Sequence, residues 1–169
     1  MKKIIILFLS CFLLYSCGYH LRGTGSSLPP HIKKIQVPMF KNSTSRFELD
    51  VKLTRSVIDE LVARGKVEIT DDLEAADAVL LGELTRFRVN PIAFSGQATA
   101  DRYNITIVAQ VTLKDLVNDT VFYSNPNFVY KKEYEVEEGA DFETVESEAI
   151  EEVSGKFARS LVIMILEGF

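Results

Sequence analysis

Two cysteines, two histidines and 24 carboxylates are the side chains through which this 169-residue chain could do chemistry. The histidines, His20 and His31, have no partner histidine at helical spacing, which argues against a zinc site. No G-x-S-x-G turn, P-loop or dinucleotide fingerprint occurs, and no cofactor is implied. Glu137, Glu138, Glu151 and Glu152 fall where solvated strand and helix surfaces are expected. Spacing alone leaves open a glycosidase-type pair among the carboxylates. No catalytic constellation is assembled, so the expectation is a protein that is not an enzyme. Arg86, Arg88, Arg102, Lys131 and Lys132 lie near the ends of neighbouring expected strands. Such cations could hold the phosphates of a lipid headgroup. The favoured alternative is that they discourage edge aggregation, with acidic partners across the strands.

The cysteines carry the sharper signal. Lys2 and Lys3 precede an apolar run from Ile4 to Leu14, interrupted by Ser10. The run is too short for a bilayer span, which needs about 20 apolar residues, and it fits a secretory signal. Leu14-Tyr15-Ser16-Cys17 then resembles the lipobox of bacterial lipoproteins. In that motif the thiol receives a diacylglyceryl group, the signal is cut away, and the new amino terminus is acylated, with palmitate among the usual chains. Several chains anchor firmly where one anchors marginally. By the same resemblance, Gly18 after the cysteine favours the outer membrane. Cys11 leaves with the signal and Cys17 is blocked by lipid. No thiol is left for a disulfide scaffold, a thiol enzyme or a cysteine metal site.

Removal of residues 1–16 leaves 153 of the 169, a natural size for one domain with its own core. Two of the 19 basic residues go with the signal, so 17 stand against 24 acidic ones, a net charge of −7. An acidic chain is a poor general nucleic-acid binder, and no nucleic-acid partner is expected. Residues 17–31, rich in glycine, serine and proline, read as a lipidated tether, and residues 32–169 as a single domain.

The positioning elements follow from periodicity. A first strand is expected over 32–37, ended by Pro38. Ser45 and Glu48 have the spacing of a capping box. The helix after them carries Leu53, Val57, Ile58, Leu61 and Val62 as one stripe and stops at Arg64-Gly65. A short strand is expected within 66–70, and a central one over 78–89, ended by Pro91, with Arg86 and Arg88 on the face opposite Phe87 and Val89. Alternation over 103–114, broken only by Val108, predicts a strand with one face on a core and the other toward water. Val117-Asn118-Asp119 signals a turn into strands at Val121–Tyr123 and Phe128–Val136. A terminal helix is predicted over 142–167, capped by Asp141, with Val145, Ala149, Val153, Phe157, Leu161 and Ile165 recurring every four residues. The fold class is α+β: a two-layer sandwich of about four strands in a mixed sheet, with two helices packed on one face.

Cys17-Gly-Tyr-His-Leu-Arg-Gly closely resembles the mature start of the LptE family of lipopolysaccharide-assembly lipoproteins. Similar, more loosely, are Ile35-Gln36-Val37-Pro38-Met39-Phe40-Lys41-Asn42-Ser43-Thr44, Leu53-Thr54, Ala76-Asp77-Ala78-Val79-Leu80 with Gly82, and Tyr134 ahead of an acidic helix. The resemblance implies an outer-membrane lipoprotein lipid-anchored on the periplasmic face. Its partner would be the β-barrel protein LptD, inside which the domain sits as a plug in the translocon for lipopolysaccharide. It implies no catalytic residue. The alternative is an auxiliary outer-membrane lipoprotein of another lipid transport system.

Overall fold

The computed structural model describes residues 28–65, 67–94, 100–136 and 142–167. The segment expected to be a signal, the expected lipidation site Cys17, His20 and the cap expected at Asp141 lie outside the described residues. The elements run β1 (Lys34–Gln36), β2 (Lys41–Asn42), α1 (Leu49–Gly65), β3 (Glu68–Ile69), β4 (Ala78–Phe94), β5 (Ala100–Asp115), β6 (Thr120–Glu135) and α2 (Phe142–Glu167).

The class is α+β, but the sheet has six strands where about four were expected. Its order is β3-β1-β4-β5-β6, with β2 also paired to β4. β1 and β2 run parallel to β4 at Ala78–Val79 and Glu83–Leu84 respectively. Pro38, which has no N–H, lies in the gap between them, so the first strand is broken and resumes a few residues later.

One buried cluster joins the layers. It takes Ile105, Ile107, Ala109, Val111 and Leu113 from alternate positions of β5, Leu49, Leu53, Val57 and Leu61 from α1, and Ala149, Val153, Phe157, Leu161 and Ile165 from α2. Phe157 is fully buried and meets Phe128 edge-on at 5.0 Å and Tyr130 at 6.4 Å. Burying such a side chain contributes about 1.5–3 kcal/mol. The two helices pack on each other and are joined at the surface by Lys52–Glu151 (2.8 Å), while Arg46 in the loop before α1 reaches Glu146 on α2 (3.1 Å).

Several local expectations are corrected. The helix starts at Leu49, and the Ser45–Glu48 capping box does not form. Asn42 Oδ1 accepts from Thr44 N and Oγ1, Asn42 Nδ2 donates to Arg46 O, and Arg46 N donates to Thr44 Oγ1. These local bonds hold the stretch as a loop. Glu48 then turns the chain with a left-handed φ of 58°, and the first helical bond is Lys52 N to Glu48 O. Val62 is 55% exposed rather than part of the buried stripe. Pro91 does not end β4, and the strands expected at Val121–Tyr123 and Phe128–Val136 are one, β6, continuous through Pro126. From Thr85 onward β4 has a neighbour on one side only, and β6 is the sheet's edge, with Pro126 at a register shift. A missing N–H is tolerated at such places.

Candidate functional site

With both helices on one face of the sheet, the other face carries no second layer among the described residues. Directly opposed residues share a face, so the register defines its rows. These are Leu81–Thr112–Ser124, Glu83–Gln110, Arg86–Val108–Val129, Arg88–Thr106–Lys131 and Asn90–Asn104–Glu133. The surface is a mosaic: Leu81 and Val129 are 48% and 43% exposed among hydroxyls, amides and charges.

A register shift creates this face. Leu84 opposes Ala109 and Arg86 opposes Val108, so Thr85 is an extra residue, and its Oγ1 donates to Val108 O at 3.2 Å. Strict alternation would put Arg86 and Arg88 on the core side with Leu84. The bulge reverses the phase and sends Phe87 and Val89 inward against Ile107 and Ile105.

The five basic residues singled out in the sequence are therefore not one patch. Arg86, Arg88 and Lys131 share the open face, and none has an ion-pair partner among the described residues. Strand spacing puts their backbones within roughly 12 Å of one another. Lys132 opposes Ile105 and so turns to the helix side, 3.9 Å from Glu152. Arg102 opposes Glu135 two residues beyond the Asn104–Glu133 row, so it lies on the open face too, but paired with Glu135 at 3.0 Å. Both line a cleft of about 610 Å³ floored by Tyr134, Val145 and Ala149, where carboxylates already answer their charges.

A second polar cluster gave no sign of itself in the sequence. Asp115, 3% exposed at the end of β5, accepts from His31 Nε2 (2.7 Å), Asn118 Nδ2 (2.9 Å) and the Val117 and Asn118 amides. Burial pushes its carboxyl up. The Asn118 side chain and amide and His31 outweigh that and hold it at about 2. Among the described residues, no group of three or more His, Cys, Asp or Glu could hold a metal ion, and no helix is long and apolar enough to cross a membrane.

The model of the LptE family, lipopolysaccharide-assembly, matches residues 32–165. The chain belongs to that family. A comparison with curated proteins finds no match. Solved structures share the fold at low identity. Protein XCC0632 from Xanthomonas campestris has a TM-score of 0.56 at 14% identity, covering 83% of this chain and 90% of its own. Protein CT253 from Chlamydia trachomatis has 0.55 at 10%, covering 81% and 96%. A PelC dodecamer from Paraburkholderia phytofirmans, a point variant, has 0.52 at 13%, covering 85% and 96%.

The LptE-like stretches of the sequence prove to be joints of the fold. Phe40 is buried over Gly82, its amide donating to Thr54 Oγ1 at 2.9 Å. Asp77 Oδ2 accepts from the Lys33 and Lys34 amides, both at 2.8 Å, and so holds the entry to β1. Asn42 organises the loop before α1. The family resemblance in these stretches is therefore one of architecture.

Proposed function

We propose that this LptE-family chain is the outer-membrane lipoprotein subunit of a lipopolysaccharide translocon. It is anchored on the periplasmic face through lipid on Cys17 and occupies the lumen of an LptD-like β-barrel, whose assembly it assists. It acts by occupation rather than by turnover. The observation that carries this is the uncovered sheet face on a member of a lipopolysaccharide-assembly family. A mosaic of hydroxyls, amides, charges and single aliphatic residues suits the polar interior of a barrel. Arg86, Arg88 and Lys131 on that face are offered to lipopolysaccharide phosphates, as unpaired guanidinium and ammonium groups spaced for charge-assisted bonds. Arg102 and Lys132, engaged by Glu135 and Glu152, play a lesser part in that contact.

Photo-crosslinking residues placed at Thr106, Gln110 and Thr112 in cells test the reading. Capture of a large barrel protein is expected. Capture of other lipid-transport components, with no barrel at these positions or on the helices, would replace the plug by an auxiliary lipoprotein. Intact mass of the membrane-extracted chain should show loss of residues 1–16 and added acyl chains.

A further inference from the structure

Past Thr85, β4 has no neighbour on its outer side among the described residues, because β1 and β2 end their pairing with it at Val79 and Leu84. The free edge has a defined phase. Ser43 N donates to Leu84 O, so Leu84 directs its backbone groups outward, away from its opposite residue Ala109. Phe87, Val89 and Pro91 oppose Ile107, Ile105 and Tyr103, which alternate in step with Ala109. These three residues of β4 therefore turn their backbone groups outward as well. Phe87 and Val89 each offer an N–H and a C=O, while Pro91 offers a C=O alone and ends the row of donors. The bulge at Thr85 on one side and Pro91 on the other bracket a short ladder, open to a short strand and closed to indefinite stacking.

The side chains along this edge define what fits it. On the helix side, Phe87 and Val89 are only partly buried against the core. On the open face, Arg86 and Arg88 are exposed. From the Glu83 row to the Arg102–Glu135 pair, that face carries Lys41, Arg86, Arg88, Lys131 and Arg102 against Glu83, Glu133 and Glu135, an excess of two cations on a chain of net charge −5. The carboxylate of Glu83 is already held by Lys41 at 3.0 Å and Ser43 Oγ at 2.7 Å. Glu48 and Asp50, at the start of α1, belong to the helix layer on the other face. A second copy offering the same edge would set Arg86 and Arg88 against their own equivalents, a repulsive pairing.

We propose that residues 86–90 of β4 take an extended segment of a protein partner as an added strand, one in which carboxylates alternate with aliphatic side chains. The carboxylates lie across from Arg86 and Arg88, the aliphatic groups complete the cover over Phe87 and Val89, and the backbone fills the vacant ladder. This strand site shares two arginines with the phosphate contact put forward above and does not rest on it.

The test uses the full lipidated chain in detergent and a fluorescent peptide, Val-Glu-Val-Glu-Val-Glu-Val, with binding read by anisotropy. The peptide should bind about tenfold or more tightly than its lysine counterpart, and Arg86→Glu with Arg88→Glu should reverse that order while circular dichroism stays unchanged. N-methylation separates a ladder from plain charge attraction and needs no protein variant. Methylated valines block an antiparallel strand and methylated glutamates a parallel one, so one of the two peptides should weaken by about tenfold or more and the other should not. No preference between the acidic and basic peptides, or binding indifferent to both methylations, overturns the proposal. Dimers in sedimentation that the charge reversal alters and the peptide does not compete with would overturn it in favour of a second copy. Lipopolysaccharide should displace the bound peptide; if the peptide results hold and it does not, the strand site stands and the phosphate contact falls.

Discussion

Replacing Gly82 by alanine puts a methyl group where the Phe40 ring already lies: a Cβ there would sit 2.6–2.7 Å from three ring carbons. The ring has little room to yield. Phe40 is 1% exposed, and its amide is held by Thr54 Oγ1 on α1. Overpacking of this kind costs about 1–3 kcal/mol. The lower unfolded-state entropy of alanine returns about 0.5–1 kcal/mol. The net expectation is destabilisation by about 1–2 kcal/mol, out of a total of about 5–15 kcal/mol for such a domain. At roughly 2–4 °C per kcal/mol, the thermal midpoint should fall by about 2–8 °C. Urea and thermal unfolding of an acyl-free Cys17→Ala protein would measure it. The decisive comparison is a double-mutant cycle with Phe40→Ala. Once the ring is gone, Gly82→Ala should be neutral or mildly stabilising, so the two changes must couple. An equal cost in both backgrounds would falsify the claim that this contact is why position 82 is glycine.

Gly155 lies exposed inside α2, and a Cβ there would meet nothing within 4 Å; Gly155→Ala should raise stability by about 1 kcal/mol in urea unfolding. The Tyr134 hydroxyl is buried without a hydrogen-bond partner among the described residues, so Tyr134→Phe should be neutral or stabilising by about 1 kcal/mol, and a clear loss in chemical denaturation would show that the hydroxyl has a use. Asp115 is held at about 2 in the fold against an ordinary 3.8, so its ionised form is the stabilising one. That stability is present above about pH 4 and is lost as pH falls toward 2; thermal midpoints across this range should fall less steeply in Asp115→Asn than in the parent protein.

The elements that were legible in the sequence are those whose pattern repeats. α2 runs over the expected 142–167 because its four-residue recurrence of apolar side chains persists along its whole length. β5 followed from alternation alone. The misses cluster where neighbours decide. Proline ends a strand only if the ladder needs its N–H, and whether β4 and β6 have a neighbour on that side is a property of sheet order. The capping box at Ser45 lost to bonds from Asn42, a competition between two local patterns that both suit their residues. The candidate site was half legible. All five cations were visible, but Lys131 and Lys132, adjacent in sequence, point to opposite faces of β6. The bulge at Thr85 left a trace in the sequence: the core positions slip from even to odd between Leu84 and Phe87.

Composition, periodicity and the order of apolar stripes were enough to determine an α+β chain, two amphipathic helices and an alternating central strand, because each depends on the burial of side chains a few residues apart. The Cys17-Gly-Tyr-His-Leu-Arg-Gly stretch, with looser likeness around Phe40, Asp77 and Gly82, was likewise enough to point to the family. Tertiary structure alone decided which cations share a face, which prolines are harmless, and that His31 meets Asp115. Those outcomes depend on strand order and register, which bring together groups from distant parts of the chain, and no local period records such a meeting.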